Sequence, residues 1–296
     1  MNLSNYFSPE AVLRDGSFET LCLSNSRPGA PALSFLDTAR CADELNANPE
    51  IVCVICTLET AAILDDHIQG VVLSEAPREA YFTLHNHLSA DPSYCPPLRK
   101  TKIGPNCQIS PLSYIAPEGV LLGDGVVVAE FVSIHGPCII GDHSVIHSGA
   151  KLGGAGFEFK CFTDQVLDVV HCGLLEIGED VVIWENTTIH RAVYPWDRTY
   201  VGPHSRIGAN SHIDHGVKLG AFCQICARAL VSGRAEAGER TYVGPGSVIS
   251  NRLHLGPGAR TSLGSVVTKD VPAGQTVSGN FAIEHQKYLD FIKKIR

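Results

Sequence analysis

Stepping by six from Ile177, the chain presents Ile183, Ile189, Pro195, Val201, Ile207, Ile213, Leu219, Ile225, Val231, Ala237, Val243, Ile249, Leu255, Thr261 and Val267. Thirteen of these sixteen positions are Ile, Leu or Val. Gly often follows the aliphatic residue, as at Gly178, Gly202, Gly208, Gly220, Gly238, Gly244 and Gly256, and the fifth place of a hexad is small, as at Ser205, Ser211, Cys223, Ala229, Thr241 and Ser247. The same grammar runs through Leu122, Val128, Ile134, Ile140, Ile146 and Leu152, and through Ile103, Ile109 and Ile115. Neither a helix nor an alternating strand has a period of six. A triangular prism does. Each hexad forms one side with its aliphatic residue inward, the small residue sits near a corner, and Gly tolerates the turn. Three hexads close one coil, and stacked coils pair their backbones as a parallel solenoid.

Two interruptions stand out. The stretch between Leu152 and Ile177 falls outside the repeat, beginning with Gly153-Gly154-Ala155-Gly156-Phe157-Glu158-Phe159, so a loop must leave the prism there. Ala192 to Thr199 keeps the count of six and reads as an ordinary or bulged coil. Residues 1–98 do not follow the repeat. Strands are expected at Pro31–Leu36, Ile51–Thr57 and Gly70–Ser74, and helices at Asp37–Asn46, Leu58–Asp66 and Pro77–Leu88, with Asp37 and Thr57 as caps. The Pro-rich stretch 90–97 is the linker. Asp270 to Gly274 ends the prism, and Ile283, Tyr288, Leu289, Ile292 and Ile295 recur at helical spacing. The expected organisation is a small α/β domain over 1–98, a mainly β prism over 99–279 and a C-terminal helix over 280–296.

Charge narrows the partners. The net charge is −8 and the 23 Lys and Arg are dispersed, so no nucleic-acid surface is expected. No apolar run reaches the roughly 20 residues of a membrane span and the first residues lack the blocks of a signal peptide; no transmembrane segment and a cytoplasmic location follow as expectations. Eleven cysteines, an odd number spread through apolar sequence, fit reduced, buried thiols. Cys53 and Cys56, and Cys223 and Cys226, read as core. No Gly-rich phosphate loop suggests a nucleotidyltransferase.

His215 is the leading chemical candidate: two places after the inward Ile213, it projects outward. Stepping back by one coil of three hexads places Asp197 beneath it if the preceding coil is regular, and stepping forward coil by coil gives Gly233, Asn251 and Lys269 along one face.

The segments Gly154 to Phe159, Ile177 to Arg191 and Ile213-Asp214-His215-Gly216-Val217, in that order, resemble the UDP-3-O-acylglucosamine N-acyltransferases of lipid A synthesis. These are hexapeptide-repeat proteins with a left-handed parallel β-helix. The N-terminal part, including Leu33-Ser34-Phe35-Leu36, is similar to their nucleotide-recognition domain, and the likeness covers roughly residues 10–255. It implies that His215 is a general base, that Gly156 and Phe157 line the acceptor site, and that Phe35 belongs to the nucleotide side. Phe159, His171, His190 and Arg191 are further candidates to touch sugar or nucleotide. Asp214 or Asp197 would orient the imidazole, Gly233 would offer a backbone N–H to the oxyanion, and Asn251, Arg252 and Lys269 would hold a pantetheine arm and its phosphates.

The chain departs from that family in places. Thr38 and Cys41 stand where the family grips uracil with Asn and Tyr; the family's second active-site His falls near Arg252, with His254 beyond it, and its Asp falls at Gly208. Residues 265–280 instead resemble the coenzyme A-dependent sugar acetyltransferases. The expected activity is therefore transfer of an acetyl or short 3-hydroxyacyl group from a coenzyme A thioester to the amine of a nucleotide-linked amino sugar, within a homotrimer. The alternatives are the lipid A N-acyltransferase itself, with an acyl carrier protein donor, and a non-catalytic scaffold. Hexapeptide prisms also build zinc carbonic anhydrases, but their pair of His five apart is missing here, and His143 and His147, four apart, read as surface residues; no metal is expected.

Overall fold

A computed structural model describes residues 1–279 and 282–295. Asn280, Phe281, Arg296 and the side chain of Ile295 lie outside the described residues. The chain divides into two compact units, one of residues 1–100, 155–174 and 191–198, the other of residues 101–154, 175–190 and 199–296.

The first unit holds a five-stranded sheet of β1 (Val12–Arg14), β2 (Thr20–Leu21), β3 (Ala32–Leu36), β4 (Ile51–Cys56) and β5 (Gly70–Leu73), in the order β1-β5-β4-β3-β2. Only β1 runs antiparallel to its neighbour. The run Ile-Val-Cys-Val-Ile-Cys makes β4 the central strand, because a parallel strand covered on both faces must be apolar throughout. Burial pushes the Cys53 and Cys56 thiols up to about 11, as expected of core cysteines. The helices are shorter than the pattern suggested, with α1 at Ala42–Asn46, after a 3-10 turn, and α2 at Leu58–Ala61, while α3 spans Pro77–Leu88. Thr57 caps α2 in a capping box with Thr60. Asp37 does not cap α1. Its carboxylate accepts the Arg78 N–H at 3.0 Å in the first turn of α3, satisfying a donor that the helix start leaves open.

The second unit is the prism. Its strands, mostly two residues long, form parallel sheets of nine, eight and eight. Regular coils repeat every three hexads, as where Ile207 pairs with Ile225 and Val231 with Ile249. The inward aliphatic residues merge into one core, with Ile183, Ile189, Val201, Ile207, Ile213 and Leu219 fully buried. The turn chemistry differs from expectation. The residue in the left-handed region is the fourth of each hexad, not the second: His204 (φ 59°), Asn210 (57°), Gly216 (69°), Phe222 (58°), Arg228 (59°) and Arg234 (61°). The second place is glycine for a different reason. A Cβ at Gly202 would come within 2.4 Å of the Gly220 carbonyl carbon, so close approach of one coil's backbone to the next excludes side chains there. The small fifth residues bind the next coil, as the Ser205 hydroxyl donates to Gly220 O at 3.2 Å and the Ser247 hydroxyl to Ser262 O at 2.8 Å.

Both interruptions leave the prism. Val145 pairs with Val182, far beyond the next regular coil, because residues 155–174 fold in the first unit, where Phe159–Cys161 and Val166–Asp168 form a hairpin. Val182 then pairs with Arg206, one hexad further along than a regular coil would place its partner, since residues 191–198 also fold in the first unit. There Tyr194 stacks on Trp196 at 5.7 Å and accepts from the Tyr81 hydroxyl at 3.0 Å, while the Trp196 indole donates to Leu21 O at 2.8 Å. The count of six through Pro195 is thus not a coil. After the last coil, α4 (His285–Ile295) leaves Tyr288, Leu289 and Phe291 exposed. Among the described residues no helix is long and apolar enough to cross a membrane.

Truncating one rung of the inner ladder should be costly, because neighbouring coils cannot collapse into the gap. Ile183→Ala is expected to lose about 2–5 kcal/mol, read as a lower urea midpoint at unchanged slope.

Candidate functional site

Two consecutive coils build the site. The strand Thr188–His190 lies parallel to His212–Ile213, with Thr188 opposite His212 and Ile189 opposite Ile213. Both isoleucines are fully buried. Since successive side chains alternate between faces, His190, His212 and Asp214 come to the outer face together.

Asp214 is the centre of this group. Its Oδ1 accepts from the His215 backbone N–H at 2.8 Å and from His215 Nδ1 at 3.0 Å, and lies 3.2 Å from His190 Nδ1. An ionised carboxylate can only accept, so Nδ1 of each imidazole carries the proton on that side. Burial by itself would raise the Asp214 pKa, but hydrogen bonds from His190 and His215 and the charge of His215 outweigh it and hold the carboxyl well below the usual carboxylate range. The His190 and His212 rings meet edge to face with centroids 4.8 Å apart. Burial, then the neighbouring His190, lowers the His212 pKa.

His215 keeps only 9% of its surface exposed. Behind it Gly216 turns the chain in the left-handed region and donates its N–H to Thr199 Oγ1 at 2.8 Å. One coil on stands Gly233, where a Cβ would fall 2.8 Å from His215 Nε2 and 2.9 Å from Cε1. The absence of a side chain at 233 makes room for the ring. The column continues as counted: Arg234 N–H donates to His215 O at 2.9 Å and Arg252 N–H to Gly233 O at 3.1 Å. Asn251 and Arg252 are exposed. Lys269, also exposed, lines a shallow cavity of about 200 Å³ with Ser265, Asp270 and Ser278.

The remaining candidates fall in the first unit, apart from His190. Gly156 N–H donates to His171 Nε2 at 3.1 Å while His171 Nδ1 lies 2.9 Å from Val169 O, so the buried ring is neutral with its proton on Nδ1 and pins the loop. Phe157, 78% exposed, rests its ring against Phe159 at 4.8 Å. Phe35 is half-buried, with Tyr81 at 4.9 Å and the Arg78 guanidinium 5.7 Å from its ring centre. Burial lowers the Arg191 pKa, and the Asp197 carboxylate accepts the Arg198 N–H at 2.7 Å. The structure therefore gathers His190, Asp214, His215 and Gly233 in one unit and Gly156, Phe157, Phe159 and His171 in the other. Sequence reasoning missed His212 altogether. The signal was present: aligning Thr188-Ile189-His190 with His212-Ile213-Asp214 sets the three polar side chains together, but only at a spacing of four hexads rather than three.

Gly233→Ala forces the His215 ring to move and should cost about 1–3 kcal/mol. In the His215→Ala background the same substitution meets no ring, so a coupling of at least about 0.5 kcal/mol is expected. Urea denaturation of the four proteins measures it, and strictly additive effects would contradict the contact.

Comparison with known proteins bears on the fold. Residues 119–154 match the bacterial transferase hexapeptide family, six repeats. The chain is 31% identical over 147 residues to the UDP-3-O-acylglucosamine N-acyltransferase of Caulobacter sp. (strain K31), over 50% of this chain and 43% of the relative. It is 35% identical over 158 residues to the protein of the same name from Rhizobium meliloti (strain 1021), over 53% of this chain and 43% of the relative. The chain thus spans less than half the length of these curated relatives. Among solved structures, the UDP-N-acetylglucosamine acyltransferase from Campylobacter jejuni shares the fold with a TM-score of 0.54 at 21% identity, over 66% of this chain and 79% of that one. The chain is thus a parallel β-solenoid with a six-residue repeat, matching the hexapeptide family model over residues 119–154 and similar over about half its length to the UDP-3-O-acylglucosamine N-acyltransferases.

Proposed function

We propose that the protein is an N-acyltransferase that moves an acyl group from a thioester to the amine of a nucleotide-linked amino sugar. UDP-3-O-acylglucosamine and an acyl carrier protein thioester are its favoured substrates. The names of the curated relatives support this acceptor, and with it the carrier-protein alternative, over the short-chain coenzyme A reading expected from residues 265–280. The observation that carries the proposal is the Asp214–His215 pair at 3.0 Å, set on a rigid coil opposite a residue without a side chain.

A sugar ammonium is not a nucleophile. The amino sugar first loses one proton to solvent to reach the site as the free amine; His215 Nε2 takes a second proton from the nitrogen as it attacks the thioester carbon, and as the tetrahedral intermediate collapses and the C–S bond breaks, the imidazolium gives that proton to the departing thiolate. Asp214 fixes the ring and stabilises its charged form. The Gly233 N–H is the proposed donor to the oxyanion, and Asn251, Arg252 and Lys269 are the proposed track for the donor's arm. In the first unit, Phe35 and the loop of Gly156, Phe157 and Phe159 are proposed to recognise the acceptor, the loop held in shape by His171. His190 and Arg191 are assigned to the sugar or nucleotide. The active assembly is proposed to be a cytoplasmic homotrimer; a stable monomer in analytical ultracentrifugation would remove that part of the proposal.

The decisive assay follows thiol release with UDP-3-O-acylglucosamine and related amino nucleotide-sugars against acyl carrier protein and coenzyme A donors. Turnover is expected with the carrier protein donor and should fall about 10²–10⁴-fold in His215→Ala. Turnover only with coenzyme A would restore the short-chain reading. Silence with every pair would favour a non-catalytic scaffold.

A further inference from the structure

Hydrogen bonding to Asp214 accounts for His190 and His215 but leaves His212 without a part in the proposed chemistry. His212 and Asp214 are two residues apart and share the outer face of one coil, while His190 projects from the coil beneath, beside Asp214. One donor atom from each, His190, His212 and Asp214, lies within 4.8 Å of the other two. The side chains of His190 and Asp214 are 13% and 15% exposed, respectively. Without an ion the 3.2 Å between His190 Nδ1 and Asp214 Oδ1 is a hydrogen bond; an ion that displaces the Nδ1 proton would find the same separation as that of two neighbouring ligands with bonds of about 2.0–2.2 Å. Two ligands spaced i, i+2 on a strand and a third from the next strand lie side by side on one face, because the sheet register fixes all three.

We propose that His190, His212 and Asp214 form a binding site for a divalent transition metal of the zinc class. Two imidazoles and one carboxylate suit zinc and its borderline neighbours rather than magnesium or calcium, which take oxygen ligands. Three protein ligands leave a coordination position for water or a substrate oxygen. His215 is not a ligand. Its side-chain and backbone N–H groups both donate to the Asp214 carboxylate and orient it, as outer partners of metal ligands do. The site goes beyond the acyl-transfer reading and does not depend on it. It also departs from the expectation of no metal, which rested on spacing along the chain; here the ligands meet across paired coils.

The test is titration of the full-length, chelator-stripped protein with Co²⁺, read by its visible absorption, and with Zn²⁺ in competition with a chromophoric chelator. One ion per chain is expected. His190→Ala and His212→Gln should each weaken binding about 10-fold or more, while His143→Ala/His147→Ala should leave it unchanged. Saturating Zn²⁺ should raise the melting temperature of the wild type but not of His212→Gln, and this second readout stands if His190→Ala does not fold. Binding that survives both site variants, or that disappears only in the His143/His147 variant, would overturn the proposal. A His215→Ala protein that keeps the Co²⁺ band while losing turnover would separate the metal site from the acyl-transfer chemistry.

Discussion

Everything in the prism rests on coil-to-coil backbone pairing in a fixed register. Each short strand is too small to hold itself, so its hydrogen bonds must be completed by the coil above and the coil below. That requirement brings backbones close enough to exclude a Cβ after the inward aliphatic residue, which is why Gly202 approaches Gly220 so tightly. It also forces one residue per hexad into the left-handed region to make the corner, a position filled here by Asn, Arg, Phe and His as well as Gly. Such residues adopt that conformation at some cost, and the paired coils on either side offset it.

The same register makes a precise site from short segments. A side chain on a loop would need its own support, whereas His190, His212 and Asp214 are held by inward isoleucines one residue away. Asp214 then serves several donors at once. Its low pKa follows from those hydrogen bonds, which outweigh the effect of burial, so the carboxylate stays charged in a place where an unpartnered one would not. The ring it orients fits only because position 233, one coil on, carries no side chain.

Where the chain leaves the prism, the reason is aromatic. Residues 191–198 obey the six-residue count, yet Tyr194 and Trp196 stack and hydrogen-bond with Tyr81 and Leu21 in the first unit. Tyr194 is buried and Trp196 half-buried there, each with its polar atom hydrogen-bonded, as large aromatic side chains with a polar handle require. The departure lengthens that coil by one hexad and sets His190 beside Asp214.

The repeat, the parallel solenoid and the α/β start were all legible in the chain, because each depends on local periodicity: inward aliphatics every six residues, a continuous apolar central strand, a capping box at Thr57. The helix bounds were less so, since Asp37 spends its carboxylate on α3 rather than on the helix it precedes. The turn residue was misplaced because a glycine in sequence does not say whether conformation or close approach requires it. The grouping of His190, His212 and Asp214 could not be read from spacing, because the register between coils shifts wherever an excursion folds elsewhere. Periodicity is a property of neighbours along the chain, and the sequence determines it alone; which residues meet across coils depends on how much chain each coil lets go, and only the tertiary structure decides that.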